Sequence, residues 1–137
     1  MKKYSFFLLS IILLISCSEQ GIRNNNPNLP NYAVLIDLNL NLPEYSSLKF
    51  VSNAVLIPGK GVRGVVVFNT GSGYNAFDVA CPNQALSSCS TMTIKGINLL
   101  CPCDNEEYSL FSGQSKLQYP LKQYRVQVNG EVLRVYN

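Results

Sequence analysis

From Tyr32 onward, apolar residues come in short runs closed by glycine, asparagine, serine or proline, with turn signals about every eight to twelve residues. No stretch of this region sustains a 3.6-residue period, so the pattern predicts an all-β domain. The expected strands are Ala33–Leu38, Ala54–Ile57, Val65–Asn69, Ala76–Val79, Thr91–Ile94, Ile97–Leu100, Tyr108–Leu110, Tyr124–Val128 and Val132–Tyr136, with a weaker one at Ser115–Gln118. The clearest alternation places Tyr124, Val126 and Val128 toward the core and Arg125 and Gln127 toward water. Asn129-Gly130 then supplies the two positive-φ positions of a tight hairpin turn. Lys95-Gly96 and Gly71-Ser72-Gly73 are the other expected turns.

The chain starts differently. Lys2 and Lys3 precede an apolar run from Phe6 to Ile15, the layout of an export signal and too short to favour a membrane span. The run ends in Leu14-Ile15-Ser16-Cys17, which resembles the bacterial lipobox, where cleavage falls before the cysteine and that cysteine carries lipid. Residues 1–16 are therefore expected to be a lipoprotein signal peptide and Cys17 the anchor, with triple acylation well past the single chain that holds a protein only weakly. Residues 17–31 are polar and rich in asparagine and proline and are expected to be a flexible tether. Residues 32–137 are expected to form one domain. The expected location is the bacterial cell envelope, on the periplasmic or outer face of a membrane.

Charge narrows the partners. Loss of residues 1–16 removes Lys2 and Lys3, leaving nine basic against eight acidic side chains. Without a basic patch, nucleic acid is not an expected partner. Gly59-Lys60-Gly61-Val62-Arg63-Gly64 spells a dinucleotide-binding pattern, but Val65-Val66-Val67 follows where that motif needs a helix, so a glycine-rich turn into a strand is expected. The chain has no histidine, hence no Ser–His–Asp triad and no imidazole base. No enzymatic activity is expected.

Four of the five cysteines fall between Ala80 and Asp104. They begin or sit near two short loops, Cys81-Pro82-Asn83 and Cys101-Pro102-Cys103-Asp104, which a predicted hairpin brings side by side. An export compartment favours disulfides, and four cysteines permit three pairings. A zinc site made of all four is conceivable, but the spacing departs from ribbons and knuckles. Cys101 and Cys103 are close enough for thiol exchange, yet Asp104 and Glu106 would raise a thiol pKa and no nearby cation is evident. Asp104, Glu106 and Glu107 read as a solvated acidic face more than a hard-cation site, since EF-hand spacing is absent.

The two loops resemble the cluster-binding motif of Rieske iron–sulfur proteins, in which a C-x-H and a C-x-x-H loop hold a [2Fe–2S] centre. The likeness extends to Gly64-Val65-Val66-Val67-Phe68, Ala76-Phe77-Asp78 before Cys81, Tyr108 and Gly113 after Cys101, and Pro120-Leu121 before the closing hairpin. It is nearest to the small Rieske-like lipoproteins of Bacteroidetes-type bacteria. The resemblance implies a Rieske-like antiparallel sandwich, a base region carrying a small two-loop subdomain at about 80–113. It implies that Cys81 and Cys101 hold the positions of the cluster cysteines and that Cys89 and Cys103 pair as a clamp between the loops. Asn83 and Asp104 replace the two histidines, Asn105 and Glu106 replace the following glycine and serine, and the covering loop before Pro120 is short.

No metal or cofactor is therefore expected, and Cys81–Cys101 is expected as a second bridge beside Cys89–Cys103. Tyr108 is expected to pack in the core. The function that follows is a binding or structural module with a degenerate site and an unknown protein partner, its membrane contact made through lipid. The alternative is an electron carrier whose [2Fe–2S] cluster has Cys/Asp/Asn ligation. The anchor is testable by itself: Cys17→Ser should release the protein from membranes, and a variant that still fractionates with them as the wild type does would refute the assignment.

Overall fold

The computed structural model describes residues 22 and 24–137. The expected signal peptide and the expected lipid site at Cys17 lie outside the described residues. The fold class is all-β, as the pattern predicts. The strands are β1 (Leu35–Asn39), β2 (Ala54–Ile57), β3 (Val65–Asn69), β4 (Tyr74–Asp78), β5 (Thr93–Lys95), β6 (Asn98–Leu100), β7 (Glu107–Ser109), β8 (Gln123–Asn129) and β9 (Val132–Tyr136). Six of them form one antiparallel sheet in the order β1-β9-β8-β4-β3-β2, and β5-β6-β7 form a second, smaller one.

Hydrophobic patterning explains how the two parts join. All five residues of β3 are buried, because each face meets a different core. Val65 and Val67 pack with Ile36, Leu38, Leu48, Tyr124, Leu133 and Val135, whereas Val66 and Phe68 pack with Phe77, Met92, Leu99, Tyr108 and Leu121. Ala76 and Phe77 of β4 divide in the same way. A strand buried on both faces reads as a continuous apolar run, which is what Val65-Val66-Val67-Phe68 is. The second core is shared with the small sheet. Phe111, beyond β7, meets Phe68 edge to face with ring centroids 4.9 Å apart, and Asn75 of β4 donates to the Leu110 and Phe111 carbonyls.

Several expectations need correction. Ser115–Gln118 forms no strand: the Lys116 N–H bonds the Glu106 carboxylate, a side-chain contact with no sequence period. Val128 does not face the core but is 55% exposed, while Tyr124 is buried. β4 pairs only with Gln123 and Tyr124 at the start of β8, so the far end of β8 has β9 on one side and no strand on the other. A 3-10 turn at Ser46–Lys49, absent from the expected elements, buries Leu48.

Within the stretch expected to be tether, residues 24–31 lie along the domain. Asn24 exchanges two hydrogen bonds with the Gln123 backbone, and Leu29 is 7% exposed. Asn26 and Asn28 both donate to the Pro82 carbonyl, at 2.8 and 3.0 Å. The Lys122 ammonium is buried and donates to the Pro30 carbonyl and Asn31 Oδ1. Its burial lowers its pKa, an effect partly opposed by the Asp78 charge. Side-chain amides bonding to backbone hold this stretch, and composition alone does not register such bonds.

One buried carboxylate ties the base together. Asp78 accepts from the Val62 and Arg63 N–H groups at 2.6 and 3.1 Å, from the Ala80 N–H at 2.9 Å and from the Tyr124 hydroxyl at 2.7 Å. The glycine-rich turn thus offers its N–H groups to an anion of the chain itself, as a turn feeding β3. At Gly61, φ is +65° and a Cβ would lie 2.4 Å from Asp78 Oδ2, so only glycine fits there.

Burial first, then the Asp78 charge and the hydrogen bond, pushes the Tyr124 hydroxyl far above its ordinary pKa. The stabilisation it provides should be present in full below a pH of about 10 and be lost only as pH climbs through the raised value. Tyr124→Phe removes the donor without opening a cavity and should cost about 1.5–3 kcal/mol. The readout is a lower urea midpoint at unchanged m-value; an unchanged midpoint would show that the bond contributes nothing net.

Candidate functional site

The site is built where β4 ends. Past Asp78 the chain makes a single bridge, Ala80 to Thr91, and between these residues runs the first loop, closed by the Cys81 N–H on the Ser90 carbonyl and the Met92 N–H on the Val79 carbonyl. Ser90 is buried and organises the loop from inside: its hydroxyl accepts the Ser87 N–H at 2.7 Å and reaches the Ala85 carbonyl. The second loop follows β6. The Cys101 N–H bonds the Glu106 carbonyl and the Asn105 N–H bonds the Cys101 carbonyl. Asn105 supplies the positive φ, 58°, that the tight return requires.

Between the loops lie two disulfide bonds. Cys81 is joined to Cys101 with Cα atoms 5.7 Å apart, and Cys89 to Cys103 at 5.2 Å, both within the normal span for a disulfide. The inner pair is fully buried. In the outer pair Cys89 is exposed and Cys103 half-buried. The Sγ atoms of Cys81, Cys101 and Cys103 all lie within 4.8 Å of one another, and among the described residues this is the one convergent group of potential metal ligands.

The two residues expected in place of histidines, Asn83 and Asp104, are engaged by the protein itself. Asn83 sits in the first loop, and its Nδ2 donates to the Tyr108 hydroxyl at 2.9 Å and to the Tyr119 carbonyl at 2.7 Å, while its Oδ1 accepts the Tyr119 N–H at 2.8 Å. It is a bracket between the first loop, β7 and the segment entering Pro120. Asp104 is exposed and accepts the Glu106 N–H. Glu106 accepts from the Lys116 N–H, and Glu107 takes Lys95 and Asn98, whose hydrogen bonds, Lys95 first, lower its pKa. The three carboxylates are each committed separately and do not converge on a cation.

Tyr108 is fully buried in the second core. Its hydroxyl reaches Asn83, and burial, the dominant cause, raises its pKa. Gly113, after β7, has φ +72° and lies so close to the Phe77 ring that a Cβ would be 2.8 Å from it. The segment from Gly113 to Leu121 is held down by the Leu121 N–H on the Gly113 carbonyl.

A [2Fe–2S] centre of the two-cysteine, two-histidine kind does not fit these residues. Its two thiolates would be the sulfurs now bonded to each other, and the Asn83 amide has its donors and acceptor spent on protein. Sequence reasoning missed the bracket made by Asn83 and the Gln84 Nε2 donor lying 3.3 Å from Cys101 Sγ. It also missed the Ser87 hydroxyl beside both outer sulfurs, 3.3 Å from Cys89 and 3.8 Å from Cys103. The one available signal was the crowding of amide and hydroxyl side chains between Asn83 and Ser90.

No protein-family model and no curated protein matches this sequence. Among solved structures it is similar to the ferredoxin of carbazole 1,9a-dioxygenase from Nocardioides aromaticivorans, at 16% identity over 65% of this chain and 90% of that one, TM-score 0.45. It is similar also to a Sphingomonas yanoikuyae ferredoxin, at 16% identity over 64% and 88% of the two chains, TM-score 0.45. A third is described as an NADH-dependent nitrite reductase small subunit from Mycobacterium tuberculosis, at 15% identity over 78% and 97%, TM-score 0.47. Likeness of this degree assigns no chemistry to the chain.

The bracket can be tested directly. Asn83→Ala removes three hydrogen bonds and leaves the Tyr108 hydroxyl short of a partner, so a loss of about 2–4 kcal/mol is expected. Hydrogen exchange should show the Tyr119 amide losing protection more than the β8–β9 amides do. Equal loss everywhere, or none, would remove the bracket from the account.

Proposed function

We propose that this chain is a membrane-anchored envelope lipoprotein whose Rieske-like frame has given up its iron–sulfur centre and serves as a binding or structural module. The single observation that carries this reading is the fate of the ligand positions: Cys81 bonded to Cys101, and the Asn83 side chain consumed in the bracket on Tyr108 and Tyr119. Cys/Asp/Asn ligation of a cluster would require breaking the inner bond, freeing Asn83 and turning Asp104 away from the Glu106 N–H. In this reading the two bridges take over the cross-linking role of the metal. For closed loops of this length each contributes about 3 kcal/mol in the chain-entropy picture, which matters for a domain of about 100 residues. The anchor is Cys17, and the partner is a protein met at the membrane.

Protein purified anaerobically should be colourless, without stoichiometric iron or sulfide. A non-reducing peptide map should return the Cys81–Cys101 and Cys89–Cys103 pairs. Iron and sulfide in equal amounts, with visible absorption, would replace this reading with that of an electron carrier.

A further inference from the structure

The two bridges differ in access and are in contact, and neither property is needed for cross-linking alone. The outer bond ends on exposed Cys89, and the inner bond has both sulfurs at zero exposure. Cys103, half-buried, belongs to the outer bond, yet its Sγ lies within 4.8 Å of both inner sulfurs. A reductant in solution reaches the outer bond first, and the thiol it frees is already beside the inner one. From this juxtaposition we propose that the domain carries out internal thiol–disulfide relay, passing two electrons from an external dithiol through Cys89–Cys103 to Cys81–Cys101. This rests on the disulfide reading of the site given above.

The steps balance as follows. A small dithiol, or the dithiol of a reducing protein, attacks the exposed Cys89 sulfur. It is oxidised to its own disulfide and leaves Cys89 and Cys103 as thiols, having given up two electrons and two protons. The Cys103 thiolate then attacks Cys81 Sγ, the Cys81–Cys101 bond breaks, a Cys81–Cys103 bond forms, and Cys101 leaves as a thiolate. No electrons enter or leave in that step. Cys89 finally attacks Cys103, restoring the outer bond and releasing Cys81, and each departing thiolate takes up one of the two protons. The net result is an oxidised dithiol, an intact outer bridge and a reduced inner pair.

The surroundings select this order. Exchange is faster when the leaving thiolate is stabilised, and Gln84 Nε2 donates to Cys101 Sγ at 3.3 Å, which favours Cys101 as the leaving group. Around the attacking sulfur stand hydroxyls, Ser87 at 3.8 Å and Ser90 at 4.0 Å, able to turn a proton toward a thiolate. The sequence offers no evident cation near these cysteines, but the structure brings Arg63 to the first loop, on the Cys89 side, its guanidinium on the Ser87 carbonyl at 3.0 Å. Asp104 is turned to the Glu106 N–H in its own loop.

The test uses the mature chain under native conditions, with dithiothreitol as the dithiol. Rapid alkylation and peptide mapping follow each bridge with time. The wild-type map before reduction must show both bridges: free thiols at Cys81 and Cys101, or bound iron, would fail the disulfide reading itself and not the relay. In the wild type the inner pair should become alkylatable through the outer one. In a Cys89→Ala/Cys103→Ala variant its reduction should slow roughly tenfold or more, because the buried bond must then wait for local opening.

Loosening of the loops by loss of the clamp would act in the opposite direction, so equal or faster reduction in that variant overturns the relay. The single variant Cys89→Ala supplies a second readout. Its free Cys103 should exchange with the inner bond, so the map contains both Cys81–Cys101 and Cys81–Cys103 and the alkylated thiol divides between Cys103 and Cys101. A label confined to Cys103 overturns the proposal. If the double variant does not hold its fold, this map decides alone.

Discussion

A single carboxylate, Asp78, fixes the frame on which everything else in the domain is arranged. It sits with no exposure at the end of β4, and four donors from three parts of the chain converge on it. A buried anion is costly unless it is hydrogen-bonded, so the Gly61 turn, the Tyr124 hydroxyl and the Ala80 N–H have little freedom to move apart. Ala80 is also the residue before Cys81. The same contact that holds the base sheet together therefore sets the direction in which the first cysteine loop leaves it.

From that point two layers grow in opposite directions. β3 and β4 present alternate residues to each, so the base core and the two-loop core share a wall. Phe77 and Gly113 are matched in shape across it, and Phe68 meets Phe111. A change in this wall would be felt on both sides, since interiors packed at this density transmit strain. The cysteine loops are for this reason not an appendage but an extension of the core, and the inner bridge is counted among its buried apolar residues.

What could be read from the chain depended on whether period carried it. The alternation of β8 and β9, the Asn129-Gly130 turn and the apolar run of β3 follow from local chemistry, and the structure places the strands within a few residues of the expected borders. Val128 broke the pattern because burial depends on a neighbouring strand that β8 lacks at its far end. The order of the cysteines and the absence of histidine were legible as letters. The bracket at Asn83, the Glu106 contact with Lys116 and the docking of residues 24–31 were not, because each is a side chain satisfying backbone groups far off in sequence. Asparagine-rich composition is shared by disordered segments and by segments pinned through their amides.

That docking would give the proposed lipid anchor more than a holding role. Asn24, paired with the Gln123 backbone, is seven residues beyond Cys17, and a fully extended chain covers at most about 3.5 Å per residue. With Cys17 as the proposed anchor, the docked segment begins within about 25 Å of it, less than the roughly 30 Å breadth of a domain this size. Were Cys17 lipid-anchored as proposed, so short a leash would limit orientation as well as distance, keeping the side that carries Asn24 and Gln123 toward the bilayer.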